Sequence, residues 1–148
     1  MSKPMRTSFN LSLLMAFILC MSNSSCSKDY PGSVRSADFN TRFEMGVDDS
    51  VALPKWGKEL FIKLSRINDS RCPENVQCIQ AGKAEAGFTL VAEDLTEYDI
   101  SLCLGQCSGT DKTSDTAAVN LNDTGYTIIL HEIKRNGVAK AVLEIKKE

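Results

Sequence analysis

The sequence predicts an all-β fold, an antiparallel β-sandwich of about six to eight strands. Three observations lead there. Apolar residues recur at every second position through five separate stretches, which is the period of a half-buried strand and not of a helix. Polar, turn-forming segments separate the stretches, and Asn136-Gly137 between the last two is the strongest short hairpin signal. No convincing amphipathic helix interrupts the series over the roughly 107 residues that carry it. A small closed β-barrel is the alternative architecture.

The chain opens differently. Lys3 and Arg6 supply positive charge, and Phe9 to Met21 is a mostly apolar run of 13 residues, short against the ~20 that span a bilayer. Ser22-Asn23-Ser24-Ser25-Cys26 follows. That is the layout of a secretory signal peptide over residues 1–25. It resembles a bacterial lipoprotein signal peptide, in which the cysteine after the cut becomes the mature N-terminus and carries lipid. The resemblance implies fatty acylation, palmitate included, of Cys26 behind the small Ser25. Cys20, behind bulky Leu19, is the competing position, and soluble secretion the competing fate. Asn23 departs from the aliphatic residue usual in that class. The implied location is the cell envelope, lipid-anchored in the outer membrane on its periplasmic face or the cell surface. Lys28-Asp29 resembles the stretch after the acylated cysteine of some surface-exposed lipoproteins.

Removal of residues 1–25 leaves 123 residues, enough for one domain. The mature chain holds 15 basic and 19 acidic residues, a net charge of −4. Without a basic stripe, nucleic acid is not an expected partner. Residues 26–40 are polar and contain Pro31-Gly32, so they read as a lipidated N-terminus and flexible tether. The sandwich domain is expected over 41–148.

Within that domain, Thr41 to Gly46 and Val51 to Leu53 offer short strands. Leu60, Ile62 and Leu64 share one face of the next. From Lys83 to Ala92 the aligned residues are Ala84, Ala86, Phe88, Leu90 and Ala92. The polar break Glu93 to Glu97 suits a hairpin, and Tyr98, Ile100, Leu102 and Leu104 then alternate. Ser108 to Thr116 reads as a polar loop, and Val119 to Leu121 as a brief strand. Tyr126, Ile128 and Leu130 form one further face, and Ala139, Ala141, Leu143 and Ile145 the last.

Four cysteines remain in the mature domain: Cys72, Cys78, Cys103 and Cys107. An exported chain meets an oxidising compartment, so disulfides are the default. Of three pairings, Cys72–Cys78 and Cys103–Cys107 are favoured because each brackets its own turn residues. A disulfide needs Cα atoms within ~7 Å, whereas Cys103 and Cys107 would lie ~13 Å apart in a straight strand. Gly105 must then mark a reversal. Spacings of C-x5-C and C-x3-C fit neither a four-cysteine zinc site nor a C-x-x-C redox pair.

Asp69-Ser70-Arg71-Cys72-Pro73-Glu74-Asn75-Val76-Gln77-Cys78-Ile79-Gln80-Ala81-Gly82-Lys83-Ala84 resembles the mark of a family of small exported bacterial domains, many of them predicted lipoproteins. These carry D-S-R-C-P-x4-5-C-x-x-A-G-x-A between two strands and have no settled activity. The likeness covers Thr41 to Lys147. Family members often place Trp at the position of Gln80, whereas Trp56 is the single tryptophan here. Read structurally, Pro73 ends a strand, Ala81-Gly82 permits close backbone approach, and Asp69 accepts loop amides or pairs with Arg71. Read functionally, Arg71 and Glu74 form a presented contact loop.

Signals for catalysis are sparse. His131 is the single histidine and sits on an expected strand. No G-x-S-x-G, H-E-x-x-H, phosphate loop or dinucleotide fingerprint occurs. Asp48, Asp49, Glu93, Asp94, Glu97 and Asp99 are carboxylates without an inferable pairing. Asp111, Asp115, Asn122 and Asp123 lack ordered calcium-loop spacing. No cofactor or metal is expected. The leading expectation is a non-enzymatic, membrane-anchored lipoprotein that binds an envelope protein or glycan or lends structure to the envelope. The alternatives are a protease inhibitor that uses the stiffened loop around Arg71, and an unrecognised hydrolase.

Overall fold

The computed structural model describes residues 34–73 and 75–148. The signal segment, Cys26, residues 27–33 of the tether and Glu74 lie outside the described residues. Among the described residues every regular element is a strand, and no helix is long and apolar enough to cross a membrane. The strands are β1 (Val34–Ser36), β2 (Arg42–Gly46), β3 (Ser50–Leu53), β4 (Leu60–Asp69), β5 (Lys83–Ala92), β6 (Glu97–Cys107), β7 (Thr110–Lys112), β8 (Asp115–Leu121), β9 (Thr124–Lys134) and β10 (Lys140–Lys147).

They form two sheets that pack as a β-sandwich. One has the order β1-β3-β4-β5-β6-β7 and the other β2-β10-β9-β8. All neighbours are antiparallel except β1 and β3. Each sheet ends on distinct edge strands, so the closed-barrel alternative is set aside. The expected strand count is exceeded by two short edge strands. β1 lies in the stretch read as tether, and β7 in the stretch read as a polar loop. Three-residue strands carry no period of their own and exist through pairing with a neighbour.

The alternating residues meet between the sheets. Leu60, Ile62, Leu64, Phe88, Leu90 and Leu102 project from one, and Met45, Ile128, Leu130, Leu143 and Ile145 from the other, all nearly inaccessible to water. Burial of each such side chain contributes ~1.5–3 kcal/mol. Phe39, between β1 and β2, stacks at 5.9 Å on Tyr126 of β9 as the chain passes from one sheet to the other. On the far edge Asp115 of β8 accepts the Cys103 amide of β6 at 2.9 Å, a direct tie between the sheets.

The hairpin expected at Asn136-Gly137 is present, with a wider loop than a two-residue turn. Asn136-Gly137 lies in a five-residue loop, because β9 and β10 pair only from Lys134 and Lys140 onward. Tight two-residue turns occur instead at Ser108-Gly109, joining Cys107 to Thr110, and at Asn122-Asp123, joining Leu121 to Thr124, all four residues with positive φ. Asn and Asp tolerate that conformation through their short polar side chains.

Two bulges decide which side chains reach the functional end. In β4, Ser65 is left without a cross-strand partner between Leu64 and Arg66. In β9, His131 is skipped between Leu130 and Glu132. Each extra residue shifts the inward phase by one. Ile67 and Ile133 therefore return to the core, and two residues further along each chain come Asp69 and Arg135.

Candidate functional site

The two bulged strands end at the same edge of the sandwich. Asp69 closes β4 and Arg135 follows β9. Arg71 lies two residues beyond Asp69. Its amide donates to Asp69 Oδ1 at 3.0 Å, its Nε to the same oxygen at 2.9 Å, and its Nη2 to Oδ2 at 2.6 Å. Arg135 Nε adds a bond to Oδ2 at 3.0 Å. Both expected roles of Asp69, amide acceptor and Arg71 partner, are present together. The Asp69 side chain is 14% exposed and that of Arg71 23%. Burial pushes the Asp69 carboxyl up, but the bonds from Arg71 and the charge of Arg135 outweigh it and hold the group below the usual carboxylate range. The same contact raises Arg71.

The two arginines also join the loop to the opposite sheet. Arg71 Nη2 donates to Ile133 O at 2.7 Å, and Arg135 Nη1 to Cys72 O at 3.1 Å. Arg71 is thus a brace and not a freely projecting side chain. A substrate-like protease inhibitor needs its guanidinium free to enter a protease pocket, and this one is committed.

The backbone of the motif is equally constrained. Ser70 N donates to Lys83 O and Cys72 N to Ala81 O, both at 2.8 Å, so the β4–β5 ladder runs on into the loop. Gly82 adopts φ +74°, and a Cβ there would sit 2.1 Å from Ser70 O. Glycine is required at that close approach. Cys72 and Cys78 are bonded with Cα atoms 5.9 Å apart, and Cys103 and Cys107 with Cα atoms 6.1 Å apart. Gly105 marks the bend that the second of these distances requires. It has φ +84°, and β6 pairs with β5 up to this residue and with β7 from it onward. Gln106 N then donates to Gly82 O at 3.0 Å, which ties the two disulfide-bearing segments together.

Between the Cys72–Cys78 loop and the β9–β10 connection lies an open cleft of about 650 Å³. Arg71, Cys72, Pro73 and Asn75 line one side, and Glu132, Ile133, Lys134, Arg135 and Asn136 the other. Lys134 is paired with Glu44 of β2. Val76 and Ile79 on the first loop and Val138 on the second are exposed. Glu74, expected beside Arg71, lies outside the described residues. The wall from Glu132 to Asn136 was not anticipated. Its signal was present as Leu64-Ser65-Arg66-Ile67 and Leu130-His131-Glu132-Ile133, two apolar–polar–polar–apolar steps that break the alternation.

The other candidates are dispersed. His131 stays a sheet residue, its Nε2 2.9 Å from Glu144 of β10. Asp48 pairs with Lys63, Asp49 with Arg35, and Asp99 with Thr89, while Asp94 accepts the Thr96 amide of its own turn. Asp115 is held by Lys112 and Cys103, apart from the Asn122-Asp123 turn. No group of three His, Cys, Asp or Glu converges on a metal position among the described residues. Trp56, 85% exposed, lies in the β3–β4 connection at the other end of β4. No protein-family model matches this sequence, and no curated protein or solved structure matches it.

Proposed function

We propose that this is an exported, lipid-anchored envelope protein whose sandwich domain binds a partner, without turnover, through the cleft beside the Cys72–Cys78 loop. One observation carries the reading: the cleft walls are fixed before any ligand arrives. A disulfide closes one wall, and Asp69, Arg71 and Arg135 bridge it to the other. Rigid walls lower the ordering cost of association. The two disulfides suit an oxidising compartment, and the signal-like start with Cys26 supplies the route and the anchor.

The commitment of Arg71 to Asp69 and Ile133 O favours this reading over a protease inhibitor. The separate local partners of the carboxylates favour it over a hydrolase. The test uses the full chain in its own host. The wild-type protein should sediment with membranes, carry a lipid-sized mass on a chain starting at Cys26, and gain four protons on reduction. Cys26→Ala should leave the membrane fraction. A wild-type chain without lipid, or one with four free thiols, would sink the proposal.

A further inference from the structure

The larger sheet has a margin that can accept a further strand. We propose that an extended segment of a partner protein, alternating basic and apolar residues, adds to the free edge of β6 opposite residues 97–101. This surface is separate from the cleft and does not depend on it.

The first ground is the backbone. β5 pairs with β6 along residues 97–105, whereas β7 covers only residues 105–107. Alternate residues of a strand turn their amides to opposite sides. Gln106 N turns to Gly82 O of β5, and Cys103 N turns away from β5 to Asp115. The amides and carbonyls of Glu97, Asp99 and Ser101 therefore also point away from β5, and no backbone partner meets them among the described residues. Such a row is a template for an added strand. The β5–β6 register is unbroken here and the segment holds no Pro, so neither a bulge nor a proline blocks it. After Lys112 the chain passes to the other sheet, and no strand continues the line of β7 beside residues 97–101. The remaining edges are shorter, closed or uncharged. β1 and β7 have three residues each. On β2, Arg35 donates to Glu44 O at 3.1 Å and Asp49 accepts the Gly46 amide at 2.8 Å. β8 carries no charge after Asp115 to select a partner.

The second ground sets the side chains of the occupant. Glu97 and Asp99 are exposed on the outer face of the sheet. On the Asp99 rung, Lys63 of β4 is paired with Asp48. Arg66 of β4 crosses Gly87 on the Ser101 rung, and it is outnumbered by Glu93 and Asp94 of the adjoining turn together with Glu97 and Asp99. A basic residue opposite each of Glu97 and Asp99 completes a cross-strand ion pair. On the inner face Tyr98 is 48% exposed and Ile100 only partly buried, so the residues between the basic ones meet apolar surface. A second copy of this chain fits poorly. Antiparallel registers centred on Tyr98 or Asp99 set carboxylate against carboxylate. The register centred on Ile100 runs onto Cys103, whose amide Asp115 already holds.

The experiment adds acetyl-Ser-Lys-Val-Lys-Val-Ser-amide to the full chain, purified from host membranes in detergent. Calorimetry reads binding, and hydrogen exchange reads which amides become protected. The peptide should saturate the protein and protect the amides of Glu97, Asp99 and Ser101. N-methylation of both lysine amides, which would face β6, should weaken binding at least ~10-fold, and N-methylation of both valine amides should not. Glu97→Lys should lower affinity ~10-fold. If that variant fails to fold, the two methylated peptides on wild type decide alone. No saturation, equal effects of the two methylations, or equally tight binding of the reordered acetyl-Ser-Lys-Lys-Val-Val-Ser-amide would each overturn the proposal. So would protection that appears at residues 118–120 or in the Cys72–Cys78 loop instead of along β6.

Discussion

Asp69 and Arg135 are 66 residues apart in the chain and 3.0 Å apart in the fold. They belong to different sheets, and neither would face the other if β4 and β9 were regular. The bulges at Ser65 and His131 bring each onto the inward phase at the shared edge. Arg71 completes the cluster from the loop and extends it to Ile133 O.

Removing the shared carboxylate should be costly. Asp69→Asn leaves two guanidiniums facing each other over a neutral amide. We expect a loss of about 2 kcal/mol in unfolding free energy, the range for charge-assisted bonds reduced for partial exposure. Urea denaturation at neutral pH measures it. A change below a few tenths of a kcal/mol would mean that the cluster is not stabilising.

Acid should weaken the fold through the same group. The folded-state Asp69 and Asp115 carboxyls lie below their ordinary values, in each case because bonds to a neighbouring cation and a backbone amide outweigh burial. In the unfolded chain they titrate near ~3.9. Their contribution is therefore complete above that value and is lost as pH falls through the lower folded-state values. Denaturant midpoints should drop as pH is taken below ~4. Asp69→Asn should flatten part of that slope, and an unchanged slope would exclude Asp69 as its source.

Two glycines separate crowding from backbone strain. Gly109 has φ +83° and open space around a Cβ, so Gly109→Ala should cost about 1–2 kcal/mol. Gly82→Ala meets the same strain plus Ser70 O at 2.1 Å, and should cost at least ~3 kcal/mol. Comparative thermal melting orders them. Equal losses would show that the Asp69–Cys72 segment yields easily.

The cysteine pairs should behave as units. Cys72→Ser and Cys78→Ser should each cost roughly 2 kcal/mol, as loop closure over so short a segment implies, and the double variant no more than either single. Cys103→Ser and Cys107→Ser should match each other in the same way. Denaturation of the four single variants shows it, and a large asymmetry within a pair would argue against that bond.

Deletion of His131 should keep the fold. Without the extra residue β9 becomes regular, Leu130 and Ile133 still face inward with Glu132 outward between them, and the pairs with Leu143 and Val142 are unchanged. Circular dichroism and amide spectra check it, and a deletion variant that loses the β9–β10 pairing would refute the register argument.

Alternation alone was enough to locate β5, whose ends at Lys83 and Ala92 match the sequence reading, and to name the inward residues of β4, β6, β9 and β10 up to each irregularity. Short-range geometry made the cysteine pairs and the Asp69–Arg71 contact legible, because each spans only a few residues. Beyond that, the sequence reading stopped where the period broke. Ser65-Arg66 and His131-Glu132 were visible as paired polar residues, but their consequence depends on the partner strands that set the register. The edge strands β1 and β7 likewise exist only through a neighbour.

The sequence by itself determined the fold class, the core faces and the local closures, since a period of two and a few bond lengths are properties of one segment of chain. The tertiary structure alone decided that Arg135 meets Asp69, that Arg71 braces the opposite sheet and that a cleft opens between the two loops. Those contacts join segments more than 60 residues apart. Their positions follow from how two bulged strands stack across the core, which no single segment specifies.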